Sequence, residues 1–316
     1  MVQLSAVEAA RAVISGRVHL TPVHASTSIG EQLGLRLRLK ADLFQKTGSF
    51  KVRGVLNKLA GLTDDERARG LVSLSAGNHA AALSWGAAQL GLSATIVMPQ
   101  AAAASKVAAT TAYGGTVVLT DRSLMEGVTE LQEEHGYVLV HPFDDEAIMA
   151  GHGTLGLEIL EQVPDVEAVV VPVGGGGLIG GVASAIKQRR PEVAVYGVEP
   201  EAADAMTRSL ALGEPAHLDH PQTIADGLAA PFAGVQTLAA VQRFVDGVVT
   251  VSEDQIAQAT LLLHERTKLY VEPSAAAPLA ALQAGALDLP DGTTTVLVAS
   301  GGNVDAGVLA DLLRSR

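Results

Sequence analysis

Short apolar runs alternate with longer, alanine-rich segments along the chain from about residue 68 onward. Several of the short runs contain no polar position, which is typical of strands that are covered on both faces of a sheet. The segments between most of them are long enough to form helices of several turns. This pattern predicts strands at 71–75, 94–98, 116–120, 137–140, 168–173, 193–198, 247–251 and 294–300.

The alternation of strands and helices places the chain in the α/β class, with mostly parallel sheets and right-handed crossover connections. The first 45 residues depart from this pattern. Polar and apolar residues alternate at 36–42, which predicts a half-exposed strand, and a helix is predicted from about Ser49 to Ala60. The alanine run at 101–104 predicts a further helix that begins after Pro99.

The length and charge of the chain narrow the functional classes. Its 316 residues suggest about two domains, and 22 basic against 34 acidic residues give a net charge of −12. This charge repels nucleic-acid phosphates and anionic lipids, and the aromatic fraction of 3% leaves few surfaces for stacking bases. We therefore expect no nucleic-acid partner and no membrane partner.

The sequence contains no cysteine, which excludes disulfides, thiolate nucleophiles and cysteine-based metal centres. The N-terminal apolar stretch includes Glu8 and Arg11, so it does not have the pattern of a signal peptide. Two long uncharged segments, 71–105 and 168–186, contain polar residues or many glycines and are not expected to span a bilayer. We expect a soluble, cytoplasmic protein.

A strand, four consecutive glycines and an apolar helix follow one another in the segment 169–181. Glycines allow positive φ angles and close approach of the backbone to a ligand. The N–H groups of such a loop and of the following helix can surround a phosphate, and the helix dipole adds a favourable field. The alternative is a tight turn without a ligand, although a plain turn does not need four glycines. We therefore predict a phosphate site at Gly174, Gly175, Gly176, Gly177 and Leu178.

The same segment is compatible with a dinucleotide-binding fold. Gly175, Gly177 and Gly180 satisfy the G-x-G-x-x-G pattern, and Glu199 follows at the end of the next predicted strand. An NAD-type oxidoreductase is therefore one alternative, and a non-catalytic ligand-binding protein is another. A run of four glycines satisfies many templates, so this pattern alone decides nothing.

One of the seven lysines, Lys51, follows a Gly-Ser-aromatic turn within the segment 45–54. A lysine beside Phe50 and Arg53 would have its amine pKa lowered by desolvation and by neighbouring positive charge, which favours the nucleophilic free amine. The alternative is a solvated surface lysine.

Two further strand-to-helix junctions carry polar residues. In the segment 73–88 the exposed N–H groups at the start of a helix suit a carboxylate, and the Asn78 amide could bond a ligand oxygen or simply cap the helix. The segment 297–307 places Ser300 and two glycines after the last strand. Because ligands gather at the carboxyl ends of parallel strands, we expect these junctions to form one convergent site.

Together these motifs resemble the fold type II pyridoxal-phosphate enzymes, specifically the threonine/serine dehydratase and serine racemase family. The resemblance extends from about residue 20 to 305, and its motifs occur in the order of the family. They are KTGSFKVRG, SAGNHA, HPFDD, GGGGLIGG, GVEPE, TIADGLA, VEPSAA and SGGNVD.

The resemblance implies two three-layer α/β domains like those of the tryptophan synthase β subunit. Residues 1–70 and 146–316 would form a large cofactor-binding domain, and residues 71–145 a small domain with the substrate loop. It also implies a homodimer. Because the chain stops soon after SGGNVD, the family's C-terminal regulatory domain is not expected.

Pyridoxal 5′-phosphate is the cofactor that the resemblance implies. Lys51 would form its Schiff base and move the substrate proton, Phe50 would pack along the ring, and Ser300 would face the pyridine nitrogen. Asn78 would bond the phenolic oxygen, and the tetraglycine segment with Leu178 would hold the phosphate. The substrate carboxylate would be received by Ser75, Ala76, Gly77, Asn78 and His79.

The implied reaction is β-elimination from a β-hydroxy amino acid such as L-threonine or L-serine, giving a 2-oxo acid and ammonia. Amino acid racemisation is an alternative within the family, but the serine that acts as base on the second face is replaced by Ala76, which favours dehydration. Ala81, His152 and Ala275 also depart from the family pattern. We therefore consider a bulkier or acidic substrate, such as phenylserine or 3-hydroxyaspartate.

The family's divalent-cation site, for Mg²⁺ or Ca²⁺, uses a glutamate, a backbone carbonyl and an aspartate. Glu199 and Ala203 match the first two positions, but Ala205 replaces the aspartate and Asp204 lies one residue early. The loss of an oxygen ligand argues against a cation at this site.

Overall fold

A computed structural model of the chain describes residues 1–314, in which ten strands form two sheets. The six-stranded sheet has the order β1-β2-β10-β7-β8-β9, and the four-stranded sheet has the order β5-β4-β3-β6. All pairings are parallel except that of β1 with β2. The strands are β1 (Val23–Ala25), β2 (Arg36–Ala41), β3 (Leu71–Leu74), β4 (Ala94–Pro99), β5 (Thr116–Thr120), β6 (Val138–Leu139), β7 (Ala168–Pro172), β8 (Ala194–Pro200), β9 (Gly247–Val251) and β10 (Thr294–Ala299).

Helices connect the strands and cover both sheets. They are α1 (Leu4–Ile14), α2 (Thr27–Leu33), α3 (Lys51–Ala60), α4 (Asp64–Arg69), α5 (Asn78–Gln89), α6 (Ala104–Ala112), α7 (Leu124–His135), α8 (Glu146–Gln162), α9 (Gly177–Arg189), α10 (Ala205–Leu212), α11 (Val235–Phe244), α12 (Glu253–Thr267), α13 (Pro273–Gln283) and α14 (Ala306–Arg314).

The predicted α/β class with mostly parallel sheets is confirmed. The apolar runs become strands because they are covered on both faces: β7 and β10 are buried along their whole length. One apolar cluster, which includes Val170 and Leu297, covers one face of the six-stranded sheet, and another, which includes Val169 and Val296, covers the opposite face. This alternation within the same strands accounts for their continuous apolar sequence.

Helix α3 lies against the four-stranded sheet, where its buried Val55 and Leu59 share a cluster with Leu83 of α5 and Ile96 of β4. A prediction that placed residues 1–70 with the large domain did not anticipate this contact. The division of the chain at residues 70 and 146 stays a prediction.

Two details of the predicted elements are wrong. The alanine run at 101–104 is mostly a turn, because Ala102 donates its N–H to the carbonyl of Pro99 and α6 begins only at Ala104. Strand β2 is buried over its second half rather than half-exposed, and Lys40 within it has no solvent exposure. The amine of Lys40 is buried because it pairs with Glu158 at 2.5 Å.

Lys40 belongs to a buried ionic network behind the N-terminus of α3. Arg53, also without solvent exposure, donates to both oxygens of Asp42 at 2.7 and 2.8 Å. Its guanidinium also donates to both oxygens of Glu158 at 2.6 and 2.9 Å. Two bidentate pairs hold Arg53 in one geometry and connect α3 with α8. They fix the position of Lys51, two residues earlier.

No helix among residues 1–314 combines the length and apolar character that a bilayer crossing requires.

Candidate active site

The turn that carries the Lys51 amine contacts segments that follow one strand of each sheet, β6 and β10. Lys51 is the first residue of α3, and its Nζ donates to the carbonyl of Pro142 at 2.8 Å. The same nitrogen lies 5.2 Å from the centroid of the Phe50 ring. The N–H of Phe50 donates to the carbonyl of Ser300 at 3.0 Å, so the lysine turn is joined directly to the end of β10.

Burial lowers the pKa of Lys51 to about 8, and the negative charge of Glu272 opposes that shift. The prediction of a lowered pKa is therefore confirmed by the structure, with desolvation as its cause. The expected contribution of Arg53 is wrong, because its charge is balanced within the buried pairs with Asp42 and Glu158. With a pKa of about 8, roughly a tenth of Lys51 is uncharged at pH 7, far more than of an ordinary lysine. The uncharged form is the one that a nucleophilic amine requires.

The four glycines form a tight loop between β7 and α9. Gly176 has φ of +89°, a conformation that favours glycine, and α9 begins at Gly177 without a side-chain cap. A Cβ atom on Gly175 would lie 2.5 Å from the ring of Phe143, and one on Gly177 would lie 3.0 Å from the backbone of Phe143. The loop therefore has no room for side chains, and it presents the unpaired N–H groups of a helix start.

The loop from Ser75 to His79 leads into α5, whose N-terminal N–H groups have no partners within the helix. The hydroxyl of Ser75 accepts the N–H of Gly77 at 3.2 Å. The His79 ring is buried and contacts the carbonyl of Val140 at 3.2 Å, so His79 offers this loop its backbone rather than its imidazole. Ala76 contributes no polar side-chain atom.

Asn78, Glu272 and Asn303 form a closed hydrogen-bonded ring. Asn78 Nδ2 donates to Glu272 Oε1 at 2.8 Å, and Asn303 Nδ2 donates to Asn78 Oδ1 at 2.7 Å. The backbone N–H of Asn303 closes the ring by donating to Glu272 Oε2 at 3.2 Å. These contacts fix the orientation of the Asn78 amide and join the four-stranded sheet to the loops of the six-stranded sheet.

Glu272 is a functional candidate that the sequence reasoning missed. It is the only charged residue between Lys268 and Asp288, and this isolation in an apolar segment was the available signal. Burial raises its pKa to about 8, and the charge of Asp226 adds to the shift. The carboxyl group and the Lys51 amine therefore titrate in the same range, and their protonation is coupled.

Replacement of Glu272 by glutamine should lower the pKa of Lys51 below its value of about 8. The ionised carboxyl favours the charged amine, and glutamine keeps an acceptor for Asn78 while it removes that charge. Reductive methylation of cofactor-free protein, followed by mass spectrometry over a pH series, measures the shift. The labelling of exposed Lys268 serves as the internal control. An unchanged midpoint for Lys51 would show that Glu272 exerts no electrostatic effect on it.

The structure thus brings the predicted junctions together around Lys51. Phe143 contacts the glycine loop, and the carbonyl of the preceding Pro142 accepts a hydrogen bond from the Lys51 amine. The carbonyl of Ser300 accepts a hydrogen bond from the N–H of Phe50. Asn78 and Asn303 are hydrogen-bonded to each other. Phe143, Asn303 and the Pro142 carbonyl were not predicted, because their contacts arise only when distant segments meet.

Glu199, the candidate ligand for a cation or a ribose, lies apart from this group. It is fully buried, and burial raises its pKa to about 7. Its two oxygens accept hydrogen bonds from the backbone N–H groups of Met206 and Thr207. The carboxylate is therefore not free to bind the 2′-hydroxyl of a dinucleotide.

Comparison with known proteins places this geometry in a family. Residues 14–301 match the family described as pyridoxal-phosphate dependent enzyme. The chain belongs to this family. Its residues are 43% identical to L-threonine ammonia-lyase of Thermotoga maritima over 98% of this chain and 77% of that protein. They are 44% identical to mouse serine racemase over 95% of this chain and 91% of the racemase.

The solved structure of maize serine racemase superposes with a TM-score of 0.94 at 39% identity, covering 99% of this chain and 97% of that one. The resemblance to fold type II pyridoxal-phosphate enzymes is therefore confirmed, and the oxidoreductase alternative is wrong. Lyases and racemases both occur among the relatives, so the family alone leaves the reaction open.

Pyridoxal phosphate is the family's cofactor, and the residues present fit it. The fit rests on two observations: the glycine loop excludes any Cβ, and the nearby Lys51 amine has a pKa of about 8. The first suits a phosphate held by backbone N–H groups, and the second suits an amine that attacks an aldehyde.

Proposed function

We propose that this chain is an ammonia-lyase that eliminates water from a β-hydroxy amino acid such as L-threonine or L-serine, after which the released enamine is hydrolysed with the uptake of one water molecule to a 2-oxo acid and ammonia. The observation that carries the proposal is the pairing of a low-pKa amine at Lys51 with alanine at position 76. A lyase needs a proton-transferring base on one face of the substrate only, and Ala76 cannot act as a second base.

The cofactor-binding roles that we propose follow the observed positions. The N–H groups of the segment from Gly174 to Leu178 would hold the phosphate, as the free helix start supports. Phe50 would pack along the ring, since it adjoins Lys51 and is fixed to the carbonyl of Ser300. Asn78 retains one amide hydrogen beyond its bond to Glu272, which would serve the phenolic oxygen.

Bound pyridoxal phosphate supplies an electron sink that stabilises negative charge at the substrate α-carbon. The chain supplies the proton transfers: near neutral pH the Lys51 amine is partly uncharged and can accept the α-proton. Ser300, in the proposed place beside the ring nitrogen, has no carboxylate with which to hold a positive charge there. The sink is therefore milder, which favours prompt loss of the β-hydroxyl group over long-lived negative charge.

The N-terminus of α5 is the proposed site for the substrate carboxylate. The segment from Ser75 to His79 offers backbone N–H groups, and the first turn of the helix adds a favourable dipole. The hydroxyl oxygen of Ser75 accepts a hydrogen bond from the N–H of Gly77, and this bond holds the turn before α5 in one conformation. This arrangement would hold the substrate with its α-carbon toward Lys51.

Racemisation is the second candidate, supported by the identity to mouse serine racemase. We expect the Ala76→Ser substitution to increase the ratio of D-serine formation to pyruvate release, since a hydroxyl restores a proton carrier on the second face. A general acid–base group is typically worth about 10²–10⁴-fold, which sets the scale of the expected change. Chiral chromatography together with a keto-acid assay measures the ratio. A wild-type enzyme that racemises serine faster than it deaminates it would contradict the lyase proposal.

Three residues that depart from the family pattern, Ala81, His152 and Ala275, bear on which substrate is preferred. Ala81 and Ala275 are buried, and His152 lies buried with its ring 4.8 Å from that of Phe50. We propose that these changes admit a substrate larger or more acidic than threonine. Release of 2-oxo acid from threonine, serine, 3-hydroxyaspartate and phenylserine decides between them, and a clear preference for threonine would refute the larger-substrate proposal.

We also propose that the protein is a cytoplasmic homodimer. The family resemblance supports the dimer, and the absence of cysteine fits a reducing compartment. Light scattering coupled to size-exclusion chromatography measures the mass in solution, and a monomer at assay concentrations would contradict the dimer.

A further inference from the structure

The buried carboxylate of Glu199, at the end of β8, accepts three hydrogen bonds from the first turn of α10. Its Oε1 accepts the N–H of Met206 at 2.8 Å, and its Oε2 accepts the N–H of Thr207 at 2.8 Å. The hydroxyl of Thr207 also donates to Oε2, at 2.7 Å. Both backbone donors belong to the first turn of α10, where N–H groups have no partner within the helix. We call this group of contacts the Glu199 cap.

The Glu199 cap competes with a divalent cation for the carboxylate oxygens. The N-terminus of a helix carries partial positive charge, so its N–H groups compete with a cation for the same carboxylate lone pairs. Ala205 provides no side-chain oxygen that could bind a cation. The neighbouring carboxylate of Asp204 accepts a hydrogen bond from Arg208 Nε at 2.8 Å, so it is already paired with a positive charge. Among residues 1–314 no group of three or more metal-binding side chains occurs. These residues do not fit the divalent-cation site that the family resemblance implies.

The Glu199 cap also reaches the cofactor loop. Met206, whose N–H is bound by Glu199, is fully buried, and its side chain packs directly against Gly176. A Cβ atom on Gly176 would lie 2.5 Å from Met206 Cε and 2.9 Å from Thr237 Cβ. Thr237 in turn donates its hydroxyl to the carbonyl of Gly175 at 2.7 Å. The first turn of α10 therefore packs against the glycine loop through the side chain of Met206.

We propose that the Glu199 cap replaces the divalent cation. It joins β8 to α10 and holds Met206 against the glycine loop, so that neither folding nor cofactor affinity depends on Mg²⁺ or Ca²⁺. The stability of the protein and its affinity for the cofactor can both be measured without substrate turnover. Tests of the Glu199 cap therefore succeed or fail independently of the proposed reaction.

The first test uses the wild-type holoenzyme as purified and dialysed without a chelator for the metal analysis, and then in separate samples with EDTA, Mg²⁺ or Ca²⁺. We expect no tightly bound stoichiometric Mg²⁺ or Ca²⁺ by atomic emission, and the same Tm and the same dissociation constant for pyridoxal phosphate whether EDTA, Mg²⁺ or Ca²⁺ is present. A cation that binds only the folded state raises the Tm by several degrees at saturation. Such a rise, or a cation retained through dialysis, would overturn the proposal.

The second test removes the hydroxyl of the cap with Thr207→Val, which preserves side-chain shape. We expect the Tm to fall by roughly 3–10 °C, because the variant loses a hydrogen bond to a buried carboxyl group. Cofactor affinity should fall with it, and added cations should restore neither. Thr207→Ser should retain wild-type values, and Thr129→Val, at an exposed helical threonine, is the matched control. Wild-type stability and affinity in the Thr207→Val protein would contradict the proposal.

A third test attempts the reverse change. Ala205→Asp in a Thr207→Ala background adds an oxygen ligand and frees part of the Glu199 carboxylate. We expect this double variant to bind Ca²⁺ in calorimetry and to gain a Tm that rises with Ca²⁺ concentration. If the folded double variant binds no more Ca²⁺ than the wild type, then the Glu199 cap is not what excludes the cation.

Discussion

Replacement of Lys51 by alanine is expected to abolish 2-oxo acid release from threonine and serine. The loss of proton transfer alone should reduce the turnover number by about 10²–10⁴-fold. The loss of the covalent attachment to the cofactor adds to this effect, because the Lys51 amine contacts the carbonyl of Pro142, and the adjacent Phe143 packs against the glycine loop. Steady-state assays with saturating pyridoxal phosphate measure the change, and a spectrum of the protein should lack the visible absorption band of the wild type.

Two controls separate this loss from a failure to fold. Lys46→Ala, in the same loop but with its amine 5.3 Å from the Trp85 ring, should retain activity close to that of the wild type. Added methylamine should restore part of the activity of the Lys51→Ala protein, since a small amine can enter the space that the lysine vacates. Full turnover in the Lys51→Ala protein without any amine would exclude the assigned mechanism.

Replacement of Arg53 by alanine is expected to lower the free energy of unfolding by about 3–5 kcal/mol. The variant would leave the buried carboxylates of Asp42 and Glu158 without the guanidinium that pairs with both. A buried charge that loses its partner keeps its desolvation penalty, which is why the expected loss is large. Chemical denaturation followed by circular dichroism measures it.

Arg122→Ala is the matched control for Arg53→Ala. The Arg122 guanidinium also binds both oxygens of a carboxylate, that of Glu130, but the two side chains are 58% and 52% exposed. Exposed ion pairs contribute about 0–1 kcal/mol, so the two variants should differ by several-fold in their effect. Comparable losses in both variants would show that the buried network is not what stabilises the N-terminus of α3.

The strands that the sequence predicted well are those covered on both faces. In β7 and β10 every position is buried, so an uninterrupted apolar run in the sequence is sufficient to predict the strand. Strand β1 was not predicted, since its three residues carry no comparable pattern and two are exposed. Lys40 misled the prediction of β2, because the burial of a charged side chain depends on a partner, Glu158, that lies far away in the sequence.

In the candidate site, too, some residues could be predicted from local sequence and others only from contacts with distant segments. Lys51, Asn78 and the glycine segment lie in local motifs whose turns and helix starts can be recognised without the fold. Glu272 and Asn303 acquire their role only in the hydrogen-bonded ring with Asn78, which joins residues about two hundred positions apart. A single sequence shows that such residues are polar, but it does not show which of them form contacts in the folded protein. Their function therefore becomes visible only in three dimensions.

We propose that the amine of Lys51 holds the cofactor covalently, with its phosphate in the glycine loop. Borohydride reduction of the purified holoenzyme, followed by peptide mapping with mass spectrometry, tests this directly, because the chain offers seven lysines as possible sites. We expect a pyridoxyl group on Lys51 alone among them. Stoichiometric labelling of a different lysine, or a wholly unlabelled Lys51 in active protein, would contradict it.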